Sequence, residues 1–227
     1  MLTYELIGLS NILPQLFGYY IVQIGGPTKN ADPLHSSSIH NRIIINPADK
    51  STTSIQCNLD ELPFLPESID AILLFHILEF VKSPHTILKE VYNSIINGGH
   101  LVIFGFNPQS LWGITKIFKH PKRNIWNGHW LNPKKLRHSL LKIGFSVGDY
   151  QIFYFRPPNT NTKKMLFMEG LGQIFWPYCG ASYMLVAKKT STIITPLKKL
   201  GPLVRETVLV KRLPKPSGRV TQCNRNN

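Results

Sequence analysis

The fold is decided by residues 56–108, which read QCNLDELPFLPESIDAILLFHILEFVKSPHTILKEVYNSIINGGHLVIFGFNP. Two apolar runs, 69–75 and 100–106, have the length and composition of buried strands. Between them, Pro84 marks the first turn of a helix, where a missing N–H costs nothing, and Asn97-Gly98-Gly99 ends that helix. The strand-helix-strand order predicts a parallel α/β sheet with a ligand cleft at its carboxyl edge.

The same kinds of pattern predict further strands and helices before and after residues 56–108. Tyr-, Ile- and Val-rich runs predict strands, and runs with period 3.6 predict helices. The predicted strands are 19–24, 42–46, 54–57, 69–75, 100–106, 145–153 and 182–188, and the predicted helices outside the central one are 3–16 and 133–143. The chain is therefore expected to be an α/β protein with a Rossmann-like sheet of seven strands.

Composition limits the classes of protein that remain. A chain of 227 residues with 43% hydrophobic residues suits one α/β domain with appendages. The three cysteines, Cys57, Cys179 and Cys223, show no C-x-x-C spacing, so neither a metal site nor a disulfide framework is expected, and the cytoplasm is the expected location. No apolar run reaches the roughly 18 residues of a membrane span, so no transmembrane segment is expected.

The positive charge is concentrated at the end of the chain. The formal net charge is +14, and from Lys188 onward ten Lys or Arg residues face a single acid, Glu206. We therefore expect a domain at residues 1–188 and a basic, disordered tail at 189–227. This tail is either an electrostatic arm for nucleic acid or an anionic membrane face, or a solvated extension without a partner.

Several short motifs follow one another in an order that is more specific than any one of them. They are Leu62-Pro63-Phe64, Ser68-Ile69-Asp70, the turn His76 to Phe80, and Gly98-Gly99. Together they resemble the class I S-adenosylmethionine-dependent methyltransferases of the type 11 group, and the run 106–113 resembles a short bacterial subgroup whose acceptor is not established. The resemblance implies a mostly parallel sheet in the order 3-2-1-4-5-7-6, an antiparallel last hairpin, S-adenosylmethionine as cofactor, and methyl transfer.

The resemblance also implies a set of cofactor-binding residues. Gly25 and Gly26 follow the first strand, where a backbone without Cβ can approach the methionine part of the cofactor. Asn46 stands at the ribose position, and Asn58 with Leu59 at the adenine position. Amides replace the usual acids there, so they would accept hydrogen bonds without charge assistance.

His76 is the candidate catalytic residue and a further cofactor-cleft residue, because it follows the fourth strand at the carboxyl edge of the sheet. It could act as a general base, or it could be a hydrogen-bonded structural residue. Glu79, three residues later, could orient it or cap the turn. Asn107 in the Phe-Asn-Pro run is expected to serve a turn or a substrate loop.

Three functions remain open from the sequence. In the first, residues 106–131 and 154–181 are substrate loops or a lid, and the chain methylates a small molecule or a carrier-bound group. In the second, the chain is a catalytically degenerate, methyltransferase-like binding or regulatory protein. In the third, RNA is the methyl acceptor, held by the basic tail and by aromatic side chains interleaved with cations in the loops.

Overall fold

The computed structural model describes residues 1–27, 31–47, 54–55, 57–113, 128–155 and 179–190. Three helices described in full and seven strands lie in these ranges. The helices are α1 (Leu2–Ile12), α2 (Pro84–Ser94) and α3 (Pro133–Ile143), with a short 3-10 turn at Leu13–Gln15. The strands are β1 (Tyr20–Gly25), β2 (Asn41–Ile45), β3 (Ile69–Phe75), β4 (Ile95–Phe106), β5 (Phe145–Val147), β6 (Gln151–Phe153) and β7 (Ser182–Lys189).

The strands form one mixed sheet in the order β2-β1-β3-β4-β7-β5, with β6 also paired to β7. The pairs β1–β2, β1–β3 and β3–β4 are parallel, whereas β7 is antiparallel to β4, β5 and β6. The predicted α/β class, its mostly parallel sheet and its antiparallel end are therefore confirmed.

The predicted strand at 54–57 is wrong for the residues of that segment that the structure describes. Ser54 N–H donates to the Ile44 carbonyl at 2.7 Å, but the Ile44 N–H donates to the Ser54 hydroxyl at 3.2 Å instead of to a backbone carbonyl. The Ser54 hydroxyl thus replaces the backbone carbonyl that would accept the next hydrogen bond between two strands. Ser54, Ile55 and Cys57 are not in a strand.

The predicted strand 145–153 is two strands. β5 pairs with residues 187–189 of β7, and β6 pairs with residues 182–184. Between them the ladder is irregular, and Gly148 N–H donates to the Val186 carbonyl at 3.2 Å. Gly148 and Asp149 are residue types that favour turns over strands, which is the physical reason for the break. The described residues contain seven strands, as predicted, because this division adds one strand and the predicted strand 54–57 is absent from the count.

Each face of the sheet carries its own apolar core. Helices α2 and α3 cover one face, where Leu88, Val91, Leu136 and Leu140 are buried. Helix α1 covers the other face, where Leu9 and Leu13 pack in the same core as Phe75, Phe104 and Met184.

Helix α1 lies unusually close to the sheet at Gly8. A Cβ added to Gly8 would come 2.4 Å from the ring of Phe153. Only glycine therefore permits this approach. The close contact brings the first turn of α1 to the carboxyl ends of β1 and β3, where the site described below is found.

Strand β7 ends one residue beyond 188, the predicted end of the domain. Lys189 belongs to β7 and is buried, and its ammonium donates to the carbonyls of Ile95 and Tyr92 and to Glu67. Residues 191–227, which are nearly all of the predicted basic tail, lie outside the described residues. Among the helices that the structure does describe, none combines the length and the apolar character needed to cross a membrane.

Candidate functional site

A cleft of about 570 Å³ opens at the carboxyl edge of the sheet, between α1 and the ends of β1, β2 and β3. The residues that line it come from four separate segments of the chain. They include Glu5, Gly25, Gly26, Asn46, Phe75 and His76. The structure therefore brings four of the six residues predicted for the cofactor site, Gly25, Gly26, Asn46 and His76, into one cleft.

The glycine turn forms the floor of this cleft and requires glycine at both positions. Gly25 and Gly26 have φ values of 78° and 85°, in the left-handed region that residues other than glycine rarely adopt. A Cβ at Gly25 would lie 2.7 Å from the Phe75 carbonyl oxygen, and a Cβ at Gly26 would lie 2.9 Å from Phe75 Cβ. Bare backbone is thus presented to any molecule in the cleft.

Two amide side chains hold the turn in place. Asn46 is 7% exposed, and its Nδ2 donates to the Gly26 carbonyl at 3.3 Å. The buried side chain of Gln23 donates from Nε2 to the Gly25 carbonyl at 2.9 Å. A carboxylate has no proton to donate in this way. Asparagine at position 46 therefore fixes the turn through a bond that the usual acid of this position could not make.

Asn58 and Leu59 are not among the described residues that line the cleft. Asn58 is exposed, and its Oδ1 accepts from the Asp60 N–H at 3.3 Å, as in an Asx turn. Leu59 is half-buried and packs against the core on the α2 and α3 face. Their role at the adenine end of a cofactor stays a prediction from the sequence.

His76 lies at the inner wall of the cleft, between two buried carboxylates. Its Nε2 is 3.0 Å from Glu5 Oε1, and its Nδ1 is 3.8 Å from Glu79 Oε1. The imidazole also stacks on Phe106, with ring centroids 4.1 Å apart. Glu79 Oε1 in turn accepts the Phe106 N–H at 2.7 Å. The His76 side chain is therefore held by three contacts: with Glu5 of α1, with Glu79 in the turn after β3, and with Phe106 of β4.

These contacts favour the protonated imidazole. Burial acts to lower the pKa of His76, but its hydrogen bond to Glu5 and the charges of Glu5 and Glu79 outweigh burial and raise the pKa to about 9. Burial likewise acts to raise the pKa of Glu5, yet His76 and the Ser182 hydroxyl bring it below its usual range. At neutral pH the pair is an imidazolium and a carboxylate, so His76 has no free lone pair with which to accept a proton.

The raised pKa makes stability depend on pH in a defined direction. His76 binds its proton more tightly in the folded chain, so its contribution is complete below its ordinary pKa of 6.5 and is lost as pH rises through about 9. The free energy of unfolding of the wild type, relative to a His76→Gln variant, should therefore fall between pH 6.5 and 9.5. Urea denaturation across that range measures this difference, and a difference that does not change with pH would contradict the assignment.

Two residues of the site were not predicted from the sequence, Glu5 and Gln23. Glu5 is the one charged residue in α1, and it lies in the first turn of a helix that is otherwise apolar or neutral. Gln23 is the one polar residue inside an apolar strand, β1. An isolated polar residue in a segment predicted to be buried is a usable signal, because burial is costly unless the polar group has a partner.

The loops that were predicted to cover the site are described only in part. Residues 114–127 and 156–178 lie outside the described residues, so the predicted lid at 106–131 and 154–181 stays a prediction. Within the described portion, the Asn107 side chain donates to the Gly180 carbonyl and accepts from the Gln109 N–H. These two bonds give Asn107 the turn role expected for it.

The central part of the chain matches a known family model. The model, described as a methyltransferase domain, matches residues 36–103, which include β2, β3, α2 and most of β4. The chain is also 26% identical over 199 residues to the uncharacterized protein YafS of Escherichia coli K12, an alignment that covers 86% of this chain and 80% of the relative.

Solved structures share this fold over most of the chain. A SAM-dependent methyltransferase of Archaeoglobus fulgidus superposes with a TM-score of 0.60 at 16% identity, covering 82% of this chain and 93% of the other. The chain has the class I methyltransferase fold. A SAM-dependent methyltransferase of Thermotoga maritima gives a TM-score of 0.58 at 18% identity, over 82% and 89% of the two chains. The resemblance to the type 11 methyltransferases is thereby confirmed, and the family match indicates S-adenosylmethionine as the cofactor.

Proposed function

We propose that the chain is an active S-adenosylmethionine-dependent methyltransferase that binds its cofactor in the cleft between α1 and the glycine turn. The observation that carries this proposal is the pair of positive-φ glycines at the end of β1, packed on Phe75 and facing a cleft of about 570 Å³. A cleft of this size is in the range of small-molecule and cofactor sites.

The residues of the cleft fit the parts of such a cofactor. The backbone at Gly25 and Gly26 can approach the methionine part closely, because the turn has the positive φ values that glycine tolerates. We assign the ribose hydroxyls to Asn46, which directly follows β2 and lines the cleft. Phe75 and Ile77 supply apolar walls. When bound, the cofactor supplies an activated methyl group on a sulfonium.

The protein's part in the reaction would be mainly one of positioning. Methyl transfer requires the acceptor in line with the breaking S–C bond, which is an effect of proximity and orientation. Because His76 is held as an imidazolium by two carboxylates, we assign it a positioning role and not that of a general base. The acceptor is then a group that is already nucleophilic on arrival, in a small molecule or on a carrier.

A second candidate is a methyltransferase-like protein that binds the cofactor but transfers nothing. The amides at Asn46 and Asn58, in place of acids, favour it, since hydrogen bonds without charge assistance are weaker by about 1 kcal/mol each. RNA methylation through the basic tail rests on the sequence alone, because residues 191–227 lie outside the described residues.

A transfer assay separates these candidates. The full chain would be incubated with methyl-labelled S-adenosylmethionine and with small-molecule, carrier-protein and RNA fractions of a bacterial extract. We expect label in the small-molecule or carrier fraction with the wild type, and less label with a Gly26→Ala variant at the same cofactor concentration. Cofactor binding without transfer to any fraction would support the degenerate binding protein, and label in RNA alone would support the third hypothesis.

A further inference from the structure

A second cavity, of about 600 Å³, lies on the face of the sheet that α2 and α3 cover. The first two turns of these helices, the turn after β4 and the segment that leads into α3 form its walls. The lining includes Leu88, Pro108, Trp130, Lys135 and Leu136. No described residue lines both this cavity and the cleft at the glycine turn. The cavity is therefore a separate place for a ligand, and its volume is in the range of small-molecule sites.

The walls of this cavity are held in place by contacts within the domain. Trp130 packs on Phe106, with ring centroids 5.2 Å apart. Asn107 fixes the turn after β4, because its Oδ1 accepts from the Gln109 N–H at 3.0 Å. The Asn132 side chain caps α3 by accepting a backbone N–H of the first turn at 2.9 Å. The cavity thus has a defined shape before a ligand enters, which lowers the cost of binding.

The lining is apolar inside and cationic at the mouth. Leu88 and Leu136 are buried and supply the inner wall, and half-buried Trp130 presents aromatic surface. Lys135 and His85 are exposed, so they lie at the mouth. Neither the Lys135 ammonium nor the His85 imidazole forms a hydrogen bond or an ion pair within the described residues. None of the described residues in the lining is acidic, so a cation without a counter-ion stands beside an apolar pocket.

We propose that this cavity is a second small-molecule site, for an organic anion with a flat apolar body. The body packs against Trp130 and the two leucines of the inner wall, where burial of apolar surface drives binding. The carboxylate or phosphate group stays at the mouth and accepts hydrogen bonds from Lys135 and His85. A nucleic acid backbone matches the lining less well, because it carries no apolar body to fill the inner part.

The test is calorimetric titration of the full chain with naphthoate, naphthyl phosphate, uncharged naphthamide and inorganic phosphate. We expect the stronger of the two ring anions to bind about tenfold more tightly than naphthamide, because a charge-assisted hydrogen bond has about that worth. The same anion should bind at least about tenfold more tightly than inorganic phosphate, which has no ring to bury. The stronger ring anion also identifies the group that the mouth prefers.

Two lysine variants locate the binding site. Lys135→Gln removes the cation at the mouth, and it should fold as the wild type does because Lys135 is exposed. It should weaken both ring anions about tenfold and leave naphthamide within about threefold. Lys142→Gln is the matched control, because Lys142 is in the last turn of the same helix and is not among the described residues of the lining. It should leave all four affinities within about threefold.

Three results would overturn the inference. Ring anions that bind no more tightly than inorganic phosphate, or no less tightly to Lys135→Gln, would place the anions elsewhere on this basic chain. No binding of the ring anions, with or without Lys135-dependent binding of a short oligoribonucleotide, would exclude the proposed ligand. The cofactor is tested apart from this, since Lys135→Gln should bind S-adenosylhomocysteine like the wild type. A wild type that binds the ring anions but not S-adenosylhomocysteine would overturn the proposed function alone.

Discussion

Replacing Gly26 with alanine is expected to weaken S-adenosylhomocysteine binding by roughly tenfold to a hundredfold, the range of an overpacked site. The new Cβ would lie 2.9 Å from Phe75 Cβ, so either the turn or the Phe75 side chain must move. Both line the cleft. Titration calorimetry on the purified variant, with circular dichroism to verify folding, measures the effect.

Gly98 provides a matched control for this substitution. Its φ is also 85°, so alanine meets the same backbone strain of about 1 kcal/mol there. A Cβ at Gly98, however, has no atom within 4 Å, and the residue lies at the other end of β4 from the cleft. Gly98→Ala should cost stability but leave the affinity within about threefold. Equal losses of affinity in the two variants would show that the effect at Gly26 is general backbone strain and not the contact with Phe75.

Replacing His76 with alanine is expected to destabilise the fold by about 3 kcal/mol or more, the usual cost of removing one partner from a buried ion pair. Glu5 and Glu79 would then face each other without the imidazolium between them, and both are almost fully buried. Urea denaturation at pH 7 measures the loss.

Two further variants separate this cause from lost packing. Adding Glu5→Gln to His76→Ala removes one of the stranded charges, and it should recover at least about 1 kcal/mol. His85→Ala, at an exposed position of α2, should change stability by less than about 0.5 kcal/mol. If His76→Ala lowers the free energy of unfolding no more than His85→Ala does, the ion pair between His76 and Glu5 does not hold α1 at the cleft.

The elements that were predicted correctly are those determined by residues close together in the sequence. The apolar run of β3, Pro84 at the start of α2 and the apolar run 100–106 of β4 each follow from residues within one segment. The helix end predicted at Asn97-Gly98-Gly99 is wrong, because α2 ends at Ser94 and residues 97–99 already belong to β4. The strand predicted at 54–57 failed because a run of four residues is too short to be told from a turn by composition. The division between β5 and β6 was signalled by Gly148 and Asp149, but it is set by pairing with β7, which is distant in sequence.

The candidate site was predictable only where it depends on a turn or on the end of a strand. Gly25, Gly26, Asn46 and His76 follow strands, and parallel strands bring such positions to one edge of the sheet. The partner of His76 could not be predicted in this way. Glu5 is 71 residues away in sequence, and the contact depends on α1 packing tightly on Phe153 through Gly8. Without that partner, the sequence left both a general base and a structural histidine open.

The central claim is that the glycine-turn cleft binds the cofactor of a methyltransferase. Calorimetric titration of the full chain with S-adenosylhomocysteine at neutral pH tests it most directly, because binding requires no knowledge of the acceptor. The account predicts saturable heat with one binding site per chain, and weaker binding in Gly26→Ala than in Gly98→Ala. No heat and no thermal shift at millimolar ligand would contradict it.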